Sequence, residues 1–152
     1  MYYIHALHIL IYLYCLCYTR IIHIQVNADF QDDKKATNVI IKIPMPGNAA
    51  SAKTMEGRGR ARYEPGERAL VWRIGSFPGA TEATLNAVVD LISTTRERKA
   101  WVRPPVTVDF TIAGHSCSGV QVRFLKVYDK SNYQTQRWVE YVSKAGEYQV
   151  RI

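Results

Sequence analysis

Hydrophobic and polar side chains alternate through much of the chain, and this pattern predicts β-strands. In the segment 22–30, Ile, Val, Ala and Phe occupy the even positions and His, Gln, Asn and Asp the odd ones. Because successive side chains of a strand point to opposite faces, this period indicates strands with one buried face. No stretch repeats its apolar residues at intervals of three and four, so we predict no long helix.

Turns that contain Pro or Gly divide the chain into further predicted strands. The predicted segments are 39–43, 58–63, 70–74, 83–91, 106–112 and 120–128, followed by a hairpin of 138–142 and 148–152 around Lys144-Ala145-Gly146. Short strands at regular spacing are typical of two packed antiparallel sheets. We therefore predict an all-β, immunoglobulin-like β-sandwich.

The composition favours a folded domain with an anionic partner. Hydrophobic residues make up 47% of the 152 positions, which excludes disorder, and the net charge is +7. A basic balance of this size suits phospholipid head groups, nucleic acid or an acidic protein face. The three cysteines cannot all pair with one another, which leans towards a reducing compartment.

The first 18 residues contain no Asp, Glu, Lys or Arg and are rich in Ile, Leu and Tyr. They lack the basic start and the small-residue cleavage site of a signal peptide. His5 and His8 interrupt an apolar run that would need about 20 residues to span a bilayer. We call this segment, residues 1–18, the head. It could be a buried strand, an irregular segment that packs on a surface outside the chain, or a membrane-inserted segment.

Motifs of catalysis and metal binding are missing from the sequence. It has no Gly-x-Ser-x-Gly turn to present a serine nucleophile. The pairs His115-x-Cys117 and Cys15-x-Cys17 each offer two ligands, whereas zinc commonly takes four, so buried thiols and a loop histidine are the better interpretation. We predict a chain that is not an enzyme and that carries no metal or cofactor.

Arg58, Arg60 and Arg62 alternate along one predicted strand, and Arg73 lies on the next. Side chains two residues apart share a face, so the arginines would form a row that repels itself unless an anion lies across it. Charge that protects an exposed strand edge from aggregation would give the same pattern. The tail is rich in aromatic residues, which fit either a core or a surface that receives an extended peptide.

Several motifs of the chain together resemble the mu homology domain in the medium subunit of clathrin-associated adaptor complexes, closest to the plasma-membrane, endocytic type. The similar segments are Lys42-Ile43-Pro44, Trp72-Arg73, Gly79 to Leu85, Leu91 to Thr95, Trp101 to Pro105 and Val122 to Val127. The resemblance runs in order from about residue 22 to residue 152, and residues 1–20 resemble nothing in that family.

The resemblance implies a carboxy-terminal fragment of an adaptor medium chain. Residues 21–152 would be a partial mu homology domain, with about 21–113 as its second subdomain and about 119–152 as strands that return to the first. Such a domain would sort cargo and dock on phosphoinositide membrane in clathrin-coated pits, at the cytoplasmic face of the plasma membrane. Other adaptor-complex subunits would be its partners.

Two sets of residues correspond to binding sites of that family. Arg58, Arg60, Arg62 and Arg73 match its phosphoinositide-binding patch, and Glu64 replaces a lysine in that patch. Val122, Leu125, Arg137, Trp138 and Val139 match positions that bind Tyr-x-x-Φ cargo peptides. Glu140 replaces an arginine that holds the signal tyrosine in the family, and a carboxylate cannot stack on a ring face as a guanidinium does. We expect this change to weaken cargo binding. The alternative function is a basic β domain that binds nucleic acid through the arginine row.

Overall fold

A computed structural model describes residues 6–15, 18–92, 102–128, 130–131 and 133–151 of the chain. These residues form nine β-strands: β1 (Leu7–Cys15), β2 (Thr19–Ala28), β3 (Lys35–Pro44), β4 (Ala49–Gly57), β5 (Arg60–Glu64), β6 (Ala69–Pro78), β7 (Glu82–Leu91), β8 (Val106–Ala113) and β9 (Val142–Val150). The residues of the motifs Leu91 to Thr95 and Trp101 to Pro105 are described only in part, since 93–101 lie outside these ranges.

The strands form two antiparallel sheets that pack face to face as a sandwich. One sheet has the order β1-β2-β7-β4 and the other the order β5-β6-β3-β8-β9. All strand pairs recorded within the described residues are antiparallel. The predicted all-β sandwich is therefore confirmed.

The core between the sheets is built from the alternating apolar positions. In β2, β7 and β8 every second residue is buried, as in Ile24 and Val26, while the intervening side chains are partly exposed. Trp72 and Phe77 of β6 are the largest side chains that are completely buried among the described residues. The alternation that predicted these strands reflects the one face of each sheet that meets the core.

The head supplies the edge strand of the first sheet. β1 pairs with β2 from Leu7, opposite Ala28, to Cys15, opposite Arg20. Leu7 and Ile9 are buried in the core, whereas Tyr12 on the other face is half exposed. Of the three interpretations of the head, this pairing agrees with the buried strand; residues 1–5 and 16–17, which include His5 and Cys17, lie outside the described residues. Across the described ranges, no helix has the length and apolarity to cross a bilayer.

Three details of the predicted secondary structure are wrong. β4 was not predicted, because its sequence is rich in small and polar residues and shows no alternation. The predicted strand 120–128 is an exposed segment without strand pairing, since no described strand lies beside it. The predicted hairpin around Lys144-Ala145-Gly146 is instead one continuous strand, β9, because β8 pairs with both of its halves across a bulge.

Candidate functional site

The β5–β6 hairpin places three arginines on the outer face of the second sheet. Arg60 lies directly opposite Arg73 in the strand register, and Arg62 lies opposite Val71. All three arginines are exposed, while the alternate residues of β6, such as Trp72, face the core. We call Arg60, Arg62 and Arg73 the basic face.

Arg58 does not continue the row of arginines along β5, so the prediction of three successive arginines on one strand is wrong at this position. The strand begins only at Arg60, because Gly59 takes a left-handed conformation with φ of 88°. The carbonyl oxygen of Arg58 accepts a hydrogen bond of 2.6 Å from Trp72 Nε1. Its guanidinium carbon lies 5.8 Å from the centre of the Phe77 ring, which separates this charge from the basic face.

Two carboxylates reduce the positive charge of this surface. Glu64 Oε1 accepts a hydrogen bond of 2.9 Å from Arg73 Nη1, and Glu67 Oε2 lies 2.8 Å from Lys42 Nζ. The hydrogen bond to Glu67 raises the pKa of Lys42 above its ordinary value of 10.5, which partial desolvation opposes. Because the lysine pKa is raised in the folded state, the Lys42–Glu67 pair contributes to stability at neutral pH. This contribution is lost only as the pH rises through the raised pKa.

Arg60 and Arg62 have no such counter-ion among the described side chains. Neither forms an ion pair with the carboxylates whose side chains the structure describes. Sequence reasoning identified Glu64 from the family pattern, but it missed Lys42 and Glu67 as parts of the same surface. Their placement depends on the pairing of β3 with β6, which no local sequence signal reveals.

The residues predicted to bind cargo lie in the two exposed segments 120–128 and 133–141. Arg137 Nη1 donates a hydrogen bond of 2.7 Å to the carbonyl oxygen of Leu125, which joins the two segments. Trp138 is 78% exposed, and Val122, Leu125 and Val139 are each about half exposed. The hydrogen bond brings Arg137 to the segment of Leu125, and the apolar side chains of the five residues are open to solvent.

Glu140 is exposed, and Arg137 and Arg123 are the nearby arginines in the sequence that could pair with it. Within the described part of the chain the carboxylate forms no ion pair. Arg137 is instead oriented towards the Leu125 carbonyl, which is the closer acceptor in this arrangement.

The candidate metal ligands remain scattered. His115 lies against the ring of Phe30, with 6.0 Å between the ring centres, and Cys117 is a half-buried free thiol. No group of three or more His, Cys, Asp or Glu side chains converges in the ranges that the structure describes. The side chains of Cys15 and Cys17 are outside the described set.

Comparison with solved structures identifies the fold. The chain is similar to the mu homology domain of Fcho1 from Danio rerio, which was solved with a bound Eps15 peptide. The TM-score is 0.59 at 14% sequence identity, and the match covers 95% of this chain and 44% of that one. At this identity the likeness shows the fold alone.

Sequence comparison is more specific. The chain is 44% identical over 130 residues to the AP-2 complex subunit mu of Dictyostelium discoideum, and 40% identical over 129 residues to the AP-1 complex subunit mu-1-I of Caenorhabditis elegans. Each match covers 85% of this chain, which spans about 30% of the length of these curated relatives. Residues 18–152 match the Adaptor complexes medium subunit family. The chain is therefore a member of the adaptor complex medium subunit family.

Proposed function

We propose that this chain acts as an adaptor medium-chain domain that docks on phosphoinositide membrane in clathrin-mediated endocytosis. The observation that carries the proposal is the basic face, where Arg60 and Arg73 lie directly opposite each other. Like charges on opposing strand positions destabilise a sheet, so an anionic ligand across them would relieve the repulsion. Arginine forks suit the oxygens of phosphate groups, which an inositol lipid presents.

Edge protection alone accounts less well for this surface. β5 is the edge strand of its sheet, so Arg60 and Arg62 could serve to discourage pairing with another chain. Arg73, however, lies on β6, which is paired on both sides and needs no such protection. Its position opposite Arg60 supports a role in binding an anion.

Replacing Arg60, Arg62 and Arg73 of the basic face with Ser is expected to reduce binding to phosphoinositide vesicles by at least tenfold. Each basic residue near an anionic surface contributes about 1 kcal/mol, and salt screens this attraction. Vesicle sedimentation across a salt series measures the effect. The matched control replaces the exposed Arg103, Arg123 and Arg151 with Ser, which removes the same charge elsewhere.

The same experiment also distinguishes lipid binding from the alternative function, nucleic-acid binding. If both triple variants lose the same affinity, net charge rather than the basic face binds the membrane, and the lipid site is wrong. If single-stranded DNA competes with the vesicles at equal phosphate concentration, that result supports nucleic-acid binding and contradicts the lipid assignment. The proposal expects the lipid to be preferred, because the aromatic tail that could stack on bases lies outside the basic face.

Changing Glu64→Gln is expected to strengthen vesicle binding by severalfold. The substitution removes the negative charge that pairs with Arg73 and leaves only a neutral acceptor, so a phosphate can compete better for that guanidinium. Glu67 lies in the turn of the same hairpin, and Glu67→Gln, which releases Lys42 of β3, is the matched control for a simple gain in positive charge. An equal increase in vesicle affinity in both variants would mean that only the change in net charge matters, and not the contact of Glu64 with Arg73.

We also propose that the segments 120–128 and 133–141 sort cargo, through Val122, Leu125 and Arg137 to Val139, which match the cargo-binding positions of the family. A Tyr-x-x-Φ peptide is expected to bind this chain weakly or undetectably, because Glu140 offers no cation to the tyrosine ring. Glu140→Arg alone is not expected to restore full affinity. Isothermal titration calorimetry measures both, and tight binding by the unmodified chain would contradict the assignment of Glu140.

The remaining parts of the proposal follow from family membership. Residues 21–113 would correspond to the second subdomain of a mu homology domain and residues 119–152 to strands of the first. Other subunits of an adaptor complex would be the partners, at clathrin-coated membrane on the cytoplasmic side. Co-purification with tagged adaptor subunits tests that assembly.

A further inference from the structure

A cleft between the two sheets opens on the side of the sandwich opposite the β5–β6 hairpin, which carries the basic face. It is bordered by β1 and β9, the edge strands of the two sheets, and by the turn 115–118. Its volume of about 450 Å³ lies within the range of about 300–1,000 Å³ that ligand pockets occupy. None of the residues assigned above to lipid or cargo lines this cleft.

The lining of the cleft combines an apolar wall with a polar rim. Leu7, Phe110, Ala145 and Tyr148 contribute apolar surface, and Leu7 and Phe110 are buried in the core. His115 and three serines, Ser116, Ser118 and Ser143, are among the remaining lining residues, whereas the exposed side chain of Lys144 lies on the opposite face of β9 from Ala145. No carboxylate is found among the described residues that line the cleft. This surface therefore complements a ligand that is apolar in one part and acidic in another.

The adjacent strand edge can accept an extended chain. Among the described strands, β9 pairs only with β8, and no other described strand lies along the second edge of its residues 142–145. A bulge at Gly146–Glu147 interrupts β9, where Glu147 takes a φ of 59° and its N–H donates a hydrogen bond of 2.7 Å to Asp109 Oδ1. Because a bulge breaks a regular ladder, an added strand could pair without interruption only beside residues 142–145.

We propose that an acidic, extended peptide adds as a strand beside residues 142–145 of β9. A bulky apolar side chain of that peptide enters the cleft against Phe110 and Ala145, and a carboxylate two residues away, on the same face of the peptide, meets His115. Backbone pairing supplies affinity, and the cleft selects the side chain. This inference goes beyond the lipid and cargo assignments, because it concerns a different edge of the molecule.

The test uses a fluorescein-labelled peptide, Thr-Asp-Thr-Phe-Thr-Asp-Thr, with binding followed by fluorescence anisotropy. The protein carries Cys15→Ser and Cys17→Ser, so that Cys117 in the wall of the cleft is its only thiol. Saturating peptide is expected to slow alkylation of Cys117 at least fivefold. Replacing the peptide's Phe by Ala, its Asp by Lys, or methylating its central backbone nitrogens is each expected to weaken binding at least tenfold.

Protein variants locate the site. Ala145→Phe fills the cleft and is expected to weaken binding at least tenfold, whereas Gln149→Phe adds the same ring at an exposed position of β9 and should change it less than twofold. Trp138→Ala, at the cargo position, should have no effect. The peptide variants keep the proposal testable if Ala145→Phe does not fold.

Three outcomes would overturn the inference. Unchanged Cys117 alkylation at saturating peptide would show that the cleft stays empty. Loss of peptide binding in Trp138→Ala would place the peptide on the cargo segment instead. A dimer in analytical ultracentrifugation that Ala145→Phe disperses, with no peptide binding to the monomer, would assign this edge to a second copy of the chain.

Discussion

Backbone amides of residues 120–141 are expected to exchange with solvent at least 100-fold faster than those of β2, β3, β6, β7 and β8. The described residues of this segment have no strand pairing, and Phe124, Tyr128, Tyr133 and Trp138 are each more than 70% exposed. Exchange rates follow the free energy of local opening, which is near zero for such segments and approaches the global stability in central strands. The contrast therefore spans orders of magnitude.

Hydrogen exchange followed by mass spectrometry measures this contrast directly. β9 should be intermediate, because β8 pairs with it on one side and its bulge interrupts the ladder. Exposed apolar side chains in 120–141 should also favour self-association at high concentration. Strong, uniform protection of 120–141 in a monomer would show that this segment packs in a way that the structure does not describe.

Leu7→Ala is expected to lower the free energy of unfolding by about 2–5 kcal/mol, the range observed for buried leucines. Leu7 is 2% exposed and belongs to the continuous core between the sheets. The loss combines the transfer free energy of the removed atoms with the cavity that remains. Against a total stability of about 5–15 kcal/mol, this is a large fraction.

Leu10→Ala is the matched control, since Leu10 lies on the same strand at 37% exposure and on the opposite face. It should cost less than about 1 kcal/mol, because Leu10 lies outside the core between the sheets and more than a third of it already meets solvent. Urea denaturation of the two variants compares them. Equal, small effects would mean that the head does not pack on β2 in solution.

The head matters because it lies outside the part of the chain that matches the family. The match begins at residue 18, yet β1 ends at Cys15 and contributes Leu7 and Ile9 to the core. This sandwich therefore includes a strand that the medium subunit match does not contain. Its pairing covers one edge of β2, which would otherwise be open.

Family membership confirms two further predictions from the sequence. The resemblance to adaptor medium subunits holds, through relatives of AP-1 and AP-2 mu type. Since the family consists of adaptor subunits, the chain is not an enzyme, as the missing catalytic motifs predicted. The lipid and cargo residues, in contrast, stay predictions that the experiments above test.

The sequence by itself determined those strands in which apolar and polar residues alternate because one face packs in the core. β2, β3, β7 and β8 are predictable because each buries one face, and a period of two then becomes visible in the residues. The same local pattern correctly placed Arg60 and Arg62 on one exposed face. These features depend on single strands and need no knowledge of their neighbours.

Only the tertiary structure decided which segments find a partner. Residues 120–128 alternate like a strand but remain unpaired, whereas β4, with no such pattern, is held by pairing with β7. The head could be a strand or a membrane segment until its register with β2 was known. Strand pairing is a long-range interaction whose hydrogen bonds come from the backbone, so the side-chain sequence of one segment does not specify its neighbour.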